Sequence, residues 1–363
     1  MKIPYLDLSV NDVQLKKELL DAVNTVLTHG RIILGPEVEE LEQKLAAYCN
    51  RRFAVGMNSC TDALYLTLRA FNIGEGDEVI TTPLSWIATT NAIVLTGAKP
   101  VYVDIGNDLN INAKFIEEAI TENTRAIIPV HFTGTICDME SINSLAEDND
   151  LVVIEDAAQA FGSRMHGKPA GSFGNAACFS MNPMKVLNAY GEAGAVVVDD
   201  QNIYDKLCSL RYAGTINKED CHYPSLNGRI DTIQASMLLV SLNHLEEKIQ
   251  RRKEIAKFYS SQLSEVITCP TVDLSMDHSY YSYTILCINR EKMKGYLNEK
   301  GIETKIQHPI LMPHHTAYKN NYKSQIPNAE RIVNQILCLP NHENLIDSEL
   351  NYITDCIRNF GNA

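Results

Sequence analysis

Residues 125–156 read RAIIPVHFTGTICDMESINSLAEDNDLVVIED. Two short, β-rich apolar runs, at 125–132 and 151–156, bracket a helical pattern at 139–148, "MESINSLAED". That is one βαβ unit. The alternation continues upstream, where "FAVGM" (53–57), "DEVITT" (77–82) and "KPVYVDI" (99–105) read as strands. "TDALYLTLRAF" (61–71), "WIATTNAIVLTG" (86–97) and "INAKFIEEAI" (111–120) read as the helices between them. Such a chain builds an α/β domain with a mostly parallel sheet covered by helices on both faces. Its ligands gather beyond the C-terminal strand ends.

Downstream, "ACFSM" (177–181) and "AGAVVVDD" (193–200) add strands. From 232 to about 263, Ile233, Met237, Leu238, Leu242, Leu245, Ile249, Ile255 and Tyr259 keep a helical period, which predicts one long helix leading into a second lobe. The remainder, with strand-like "SYYSYTILCI" (279–288) and helix-like "REKMKGYLNEKG" (290–301), predicts a small α+β domain. The expected division is a large domain over 1–245 and a small C-terminal domain over 246–363. A chain of 363 residues suits that plan, because single cores stop growing near ~250–300 residues.

A net charge of −13 argues against nucleic acid or an anionic membrane surface as partner. No apolar run is long enough to span a bilayer, and "MKIPYLDLSVNDV" carries a proline and two acids where a signal peptide has its apolar core. A cytoplasmic location is expected. The ten cysteines show no CxxC spacing, so neither a metal site nor a dithiol is signalled.

Four strand ends carry unusual polar content. In "GMNSCTDAL" (56–64), small polar residues between strand and helix free the backbone N–H groups of Cys60 and Thr61 to bind phosphate; a plain N-cap by Ser59 or Thr61 is the other reading. Trp86, the only tryptophan, follows a strand end and could fill the core or stack on an aromatic cofactor. In "LVVIEDAAQAFGS" (151–163) four apolar residues run into Glu155, Asp156 and then Gln159, and a carboxylate buried there needs a cation or strong donor. In "FSMNPMKVLNAYGEAG" (179–194), Ser180 precedes a single lysine, Lys185, framed by small and polar residues. A surface lysine on a turn is one reading; an amine held in a cleft as a nucleophile toward carbonyls is the other. Phosphate cradle, aromatic, buried acid and framed lysine together are the requirements of a pyridoxal phosphate site.

The chain resembles the DegT/DnrJ/EryC1/StrS family of sugar aminotransferases, within the aspartate aminotransferase fold type I. The likeness runs from "IPYLDL" (3–8) and "ILGPEVEELEQKLA" (33–46) through "GDEVITTP", "GAKPVYVDI", "AIIPVHFTG" and "VIEDAAQAFGS" to "NGRIDTIQASML" (227–238). The resemblance implies that Lys185 is catalytic and bonds the cofactor, and that Asp156 pairs with its pyridine nitrogen. Gln159 then lies near the ring hydroxyl, Trp86 stacks on the ring, and Ser180 with the Cys60–Thr61 backbone holds the phosphate. Asn227 reaches that phosphate from a neighbouring subunit, implying a homodimer with shared sites. Cys60 stands where the family has glycine, Met181 and Asn182 replace a common aromatic and histidine, and Pro313 displaces a sugar-lining histidine, with His314 and His315 next to it.

The activity so implied is transfer of an amino group from L-glutamate to a nucleotide-linked keto-sugar, for surface polysaccharide or glycoconjugate biosynthesis. "VLNAYGEAG" (186–194) resembles relatives acting at C3, which favours a 3-keto-6-deoxyhexose. Asn188 and Tyr190 then lie beside the reacting carbon, and His308, His314 and His315 line the sugar. A 4-keto sugar is the alternative, with this segment only packing beneath the cofactor. Dehydratase relatives carry histidine in place of Lys185, and a non-catalytic regulatory paralogue has no need of the full set of Lys185, Asp156, Gln159 and Asn227.

Overall fold

The computed structural model describes residues 2–271, 273, 275–320 and 325–360. Seven strands form one sheet: β1 (Phe53–Met57), β2 (Glu78–Thr81), β3 (Lys99–Tyr102), β4 (Thr124–Ile128), β5 (Val152–Asp156), β6 (Ala176–Ser180) and β7 (Gly194–Val198). Their spatial order is β1-β7-β6-β5-β4-β2-β3. Only β7 runs against the rest, pairing antiparallel with β1 and β6. Helices α1 (Cys60–Ala70), α2 (Ala88–Leu95) and α3 (Met139–Asp148) join β1 to β2, β2 to β3 and β4 to β5, whereas the 157–175 segment joins β5 to β6 without a helix.

Side chains alternate across the sheet, as strand geometry requires. Ala126, Ile128 and Ile154 face the core shared with Leu64 and Leu68 of α1, whereas Ile127 and Val153 face Met139 and Ile142 of α3. The same period sends Asp156 to the α1 side and Glu155 to the other. "RAIIPVHF" stops being a strand at Ile128, one residue before Pro129, which has no N–H for a ladder.

Two predicted helices differ from expectation. The 111–120 segment makes only a 3₁₀ turn, Ala113–Phe115, and one α turn, Ile116–Ala119. The long helix is two, α4 (Thr232–Asn243) and α5 (Leu245–Leu263), broken at His244 with φ −99° and ψ 4°. The His244 ring is tied to Glu18 at 2.9 Å, which holds the break while the apolar period runs through it.

Helix α5 joins the two lobes. Leu245 and Ile249 pack in the sheet domain, while Ile255, Tyr259 and Leu263 enter a second core with Tyr283, Ile285, Leu297 and Ile353. That lobe is built on an antiparallel pair, β8 (Tyr283–Leu286) with β9 (Ile336–Leu339), and the helices α6 (Arg290–Glu299) and α7 (Asp347–Asn359). Ile3 returns to it, its amide bonded to the Gly301 carbonyl at 2.8 Å. Among the described residues no helix is long and apolar enough to cross a membrane, and no cluster of His, Cys, Asp and Glu could hold a metal ion.

Candidate active site

A cavity of about 650 Å³ opens at the C-terminal ends of the parallel strands, between the lobes. It is lined by eight of the residues singled out from sequence: Cys60, Thr61, Trp86, Asp156, Gln159, Ser180, Lys185 and His308.

Helix α1 points its N-terminus into this space. Ser59 is the N-cap, its side chain accepting from the Asp62 amide at 3.1 Å. The first-turn amides of Cys60 and Thr61 have no partner within the helix and remain for an anion. Cys60 is the first helical residue and keeps a negative φ, so a cysteine costs no backbone strain in place of glycine. A glycine is needed opposite: a Cβ on Gly194 would lie 2.4 Å from the Ser59 carbonyl carbon and 2.6 Å from the Cys60 nitrogen.

Lys185 sits in the loop between β6 and β7. Backbone bonds close that loop, from Met181 N to Ala193 O and from Ala189 N to Met181 O, both 2.8 Å. The Lys185 amide donates to Asn182 O at 3.0 Å, and its Nζ lies 4.3 Å from the centroid of the Tyr281 ring. Asn182 lines the cavity beside it, and Met181 is fully buried.

The adjacent acids on β5 have opposite surroundings. Glu155 is fully buried and saturated: its carboxylate accepts from the amides of Gly171, Phe173 and Gly174 at 2.7–2.8 Å and meets the His131 ring at 2.9 Å. Burial pushes its pKa up, but the bonds from His131 and Gly174 and the Arg51 charge outweigh that and leave it lowered. Asp156 is also buried yet receives only two neutral donors, Thr89 Oγ1 at 2.8 Å and the Ala158 amide at 3.2 Å. Burial dominates and raises its pKa despite the Lys185 charge. Asp156 is thus a buried acid in the cavity wall without a hydrogen-bonded cation.

Gln159 is held through its carbonyl, which accepts from the Thr133 amide at 2.9 Å, leaving the NH₂ end for the cavity it lines. Trp86 is 62% exposed, which excludes the core-filling reading, and its ring stands 5.9 Å from that of His308. His308 has a pKa lowered to about 3 by burial and by the Lys185 and Lys305 charges, so its imidazole is neutral.

The remaining expected residues do not line this cavity. Asn188 and Tyr190 line an adjacent space of about 110 Å³ that also touches Lys185, because the loop turns them toward α5, where Asn188 accepts from Lys248 Nζ at 2.9 Å. His314 points outward to Glu330 at 3.5 Å, and His315, half-buried on the same turn, does not line the cavity although its charge acts on His308. Asn227 is exposed, with its carbonyl oxygen taking Arg229 Nε at 2.7 Å. Sequence reading missed Thr89, Tyr281, Lys305 and Gln307. Tyr281 is nearly buried, and although burial raises its pKa, the Lys185 and Lys305 charges with bonds from Gln307 and Lys185 bring it below the usual phenol value.

The model of the DegT/DnrJ/EryC1/StrS aminotransferase family matches residues 13–358. The chain belongs to this family. It is 38% identical over 361 residues to the dTDP-3-amino-3,6-dideoxy-alpha-D-galactopyranose transaminase of Aneurinibacillus thermoaerophilus, covering 99% of both chains. It is 37% identical to a pleiotropic regulatory protein of Geobacillus stearothermophilus, again over 99% of both. Among solved structures, Streptomyces venezuelae DesV in complex with a ketimine intermediate superposes with a TM-score of 0.97 at 35% identity, over 100% of this chain and 99% of that one. This family's fold is the fold type I aminotransferase architecture, with a large α/β domain and a smaller α+β lobe. Solved structures similar to this chain carry the cofactor: Bacillus subtilis NtdA with bound PMP and Streptococcus pneumoniae Spr1654 in PLP and PMP forms.

Proposed function

We propose that this chain transfers an amino group from L-glutamate to a nucleotide-linked keto-sugar, with a 3-keto-6-deoxyhexose as the favoured acceptor, in the cytoplasm and for polysaccharide or glycoconjugate biosynthesis. The observation that carries the reading is Asp156, a buried acid that only Thr89 and one amide hydrogen-bond, facing the cavity that holds Lys185. Such an acid fits a protonated pyridine nitrogen, and the open first turn of α1 fits a phosphate.

Bound pyridoxal phosphate supplies an electrophilic aldehyde and an electron-withdrawing ring that stabilises negative charge on the carbon bearing the amine. Asp156 keeps the proton on the pyridine nitrogen. Cys60, Thr61 and Ser180 would hold the phosphate, Gln159 would meet the ring hydroxyl, and Trp86 would cover one face of the ring. Lys185 would bond the cofactor, and its amine would carry a proton between the substrate carbon and the adjacent position. The neutral imidazole of His308 offers the sugar a hydrogen-bond partner without adding charge. Asn227 faces outward, which suits a reach into a partner's site in a homodimer.

Two properties favour C3. The loop at 186–194 resembles that of C3-acting relatives, and the Aneurinibacillus relative is named for a 3-amino product. Asn188, Tyr190, His314 and His315 enter this reading as sugar contacts made when the lobes and a second subunit close around the acceptor. The test is incubation with L-glutamate and paired 3-keto and 4-keto nucleotide sugars, read by product mass. Faster conversion of the 3-keto compound is expected; amino sugar from the 4-keto isomer alone removes the C3 assignment. Borohydride reduction followed by peptide mapping should place the cofactor on Lys185, and label on another lysine refutes the site.

A further inference from the structure

Among the described residues, several deeply placed cations have acids within reach. Arg51 pairs with Asp199 and Arg252 with Glu343, at 2.7 and 3.1 Å, and Lys248 has Glu343 at 3.9 Å. Lys185 and Lys305 differ: both line the cavity, and neither makes an ion pair with a described residue. Lys305 is half-buried, makes no ion pair and no side-chain hydrogen bond, and its Nζ lies 5.8 Å from the centroid of the Tyr5 ring. Its backbone is locked to Cys338 of β9 in both directions, at 3.1 and 2.8 Å, so its stem is fixed in the small lobe. Lys185, Lys305, Tyr281 and His308 line the cavity together, Lys185 Nζ lies 4.3 Å from the Tyr281 ring centroid, and the charges of both lysines act on the Tyr281 phenol and on the His308 imidazole.

Resting on the proposed function, we propose that Lys305 is the anchor for the α-carboxylate of the amino donor. A half-buried ammonium without a counter-ion gains most from an anion brought by a ligand, since such a charge-assisted bond is among the stronger polar contacts. The donor's α-carboxylate is one bond from the carbon whose proton Lys185 handles. A nucleotide sugar's diphosphate is several bonds from its keto carbon, so the anion that must come closest to Lys185 is the carboxylate. Asp156 and the mouth residue Glu192 are the acids of the cavity wall, and neither pairs with Lys305.

Trp86, the only tryptophan, lines the same cavity and reports its occupancy by fluorescence. The holoenzyme is titrated with glutarate, a dicarboxylate with no amine to react, and steady-state constants are measured in parallel for L-glutamate and the keto-sugar. Lys305→Gln should weaken glutarate binding and raise the L-glutamate KM by about 10- to 100-fold, the loss of one bond to a charged group. Lys305→Arg should restore both to within about 3-fold, and the keto-sugar KM should not move in either variant. Unchanged glutarate affinity in Lys305→Gln overturns the proposal, as does a rise confined to the keto-sugar KM, which would assign the lysine to the diphosphate. If wild-type protein binds glutarate through Lys305 but aminates no keto-sugar, the carboxylate site stands and the proposed function falls.

Discussion

Replacing Asp156 by asparagine separates chemistry from stability. The amide can be accommodated: its oxygen accepts from the Ala158 amide, and its NH₂ donates to Thr89 Oγ1. That hydroxyl is then free to donate to the Trp86 carbonyl, already 3.3 Å away. The fold therefore loses no bond. Burial raises the Asp156 pKa in the folded chain, so for this group stability is fully present below the unfolded value and is lost as pH rises through the folded one. At pH 7, above the unfolded value, the cofactor-free wild type bears the cost of keeping an acid in this buried site, which the asparagine variant lacks. Cofactor-free Asp156→Asn should melt no lower than wild type at pH 7, with any advantage vanishing toward acid pH. Turnover should behave oppositely. An amide cannot hold the pyridine proton, and losing one preorganised charge interaction is worth about 2–4 kcal/mol, on the order of 10²–10³ in kcat. Thermal melts of the cofactor-free protein and steady-state rates with L-glutamate read the two effects. Near-normal turnover, or a melting temperature well below wild type, refutes the assignment of Asp156 to the ring.

Glu155, one residue earlier, should respond in the other sense. Glu155→Gln sets an NH₂ group against backbone donors and should cost about 3 kcal/mol in denaturant unfolding. Because the Glu155 pKa is lowered in the fold, its contribution is present above the usual 4.5 and is lost as pH falls through the folded value, so wild type should lose stability in that acid window and the variant should not. Mixing Lys185→Ala with Asn227→Ala chains should regenerate activity above the Asn227→Ala level if Asn227 completes a partner's site; verified subunit exchange without recovery excludes sharing. Gly194→Ala should weaken cofactor retention, because its Cβ would press on Ser59 and Cys60 at 2.4–2.6 Å and displace the first-turn amides of α1; unchanged affinity in equilibrium dialysis contradicts that role.

What could be read from sequence alone was whatever local periodicity encodes. Period-two apolar runs alternating with helical ones specify a parallel sheet, and the sheet places strand-end residues together, so Cys60, Thr61, Trp86, Asp156, Gln159, Ser180 and Lys185 were legible as one cavity. Even the opposite roles of Glu155 and Asp156 follow from neighbours on a strand facing opposite ways, although which of them found a full set of partners did not. Only the tertiary structure decided what the second lobe contributes. Tyr281, Lys305 and Gln307, which the sequence reading did not single out, reach the cavity because α5 carries a separate core across to it, and packing between lobes leaves no periodic mark in either segment. The break at His244 was hidden because the apolar spacing continues through it, while its conformation is held by Glu18, more than two hundred residues away. Asn188 and Tyr190 turned toward Lys248 for the same reason: the side of a loop that a residue occupies is set by the elements packed against it, which the sequence of the loop does not contain.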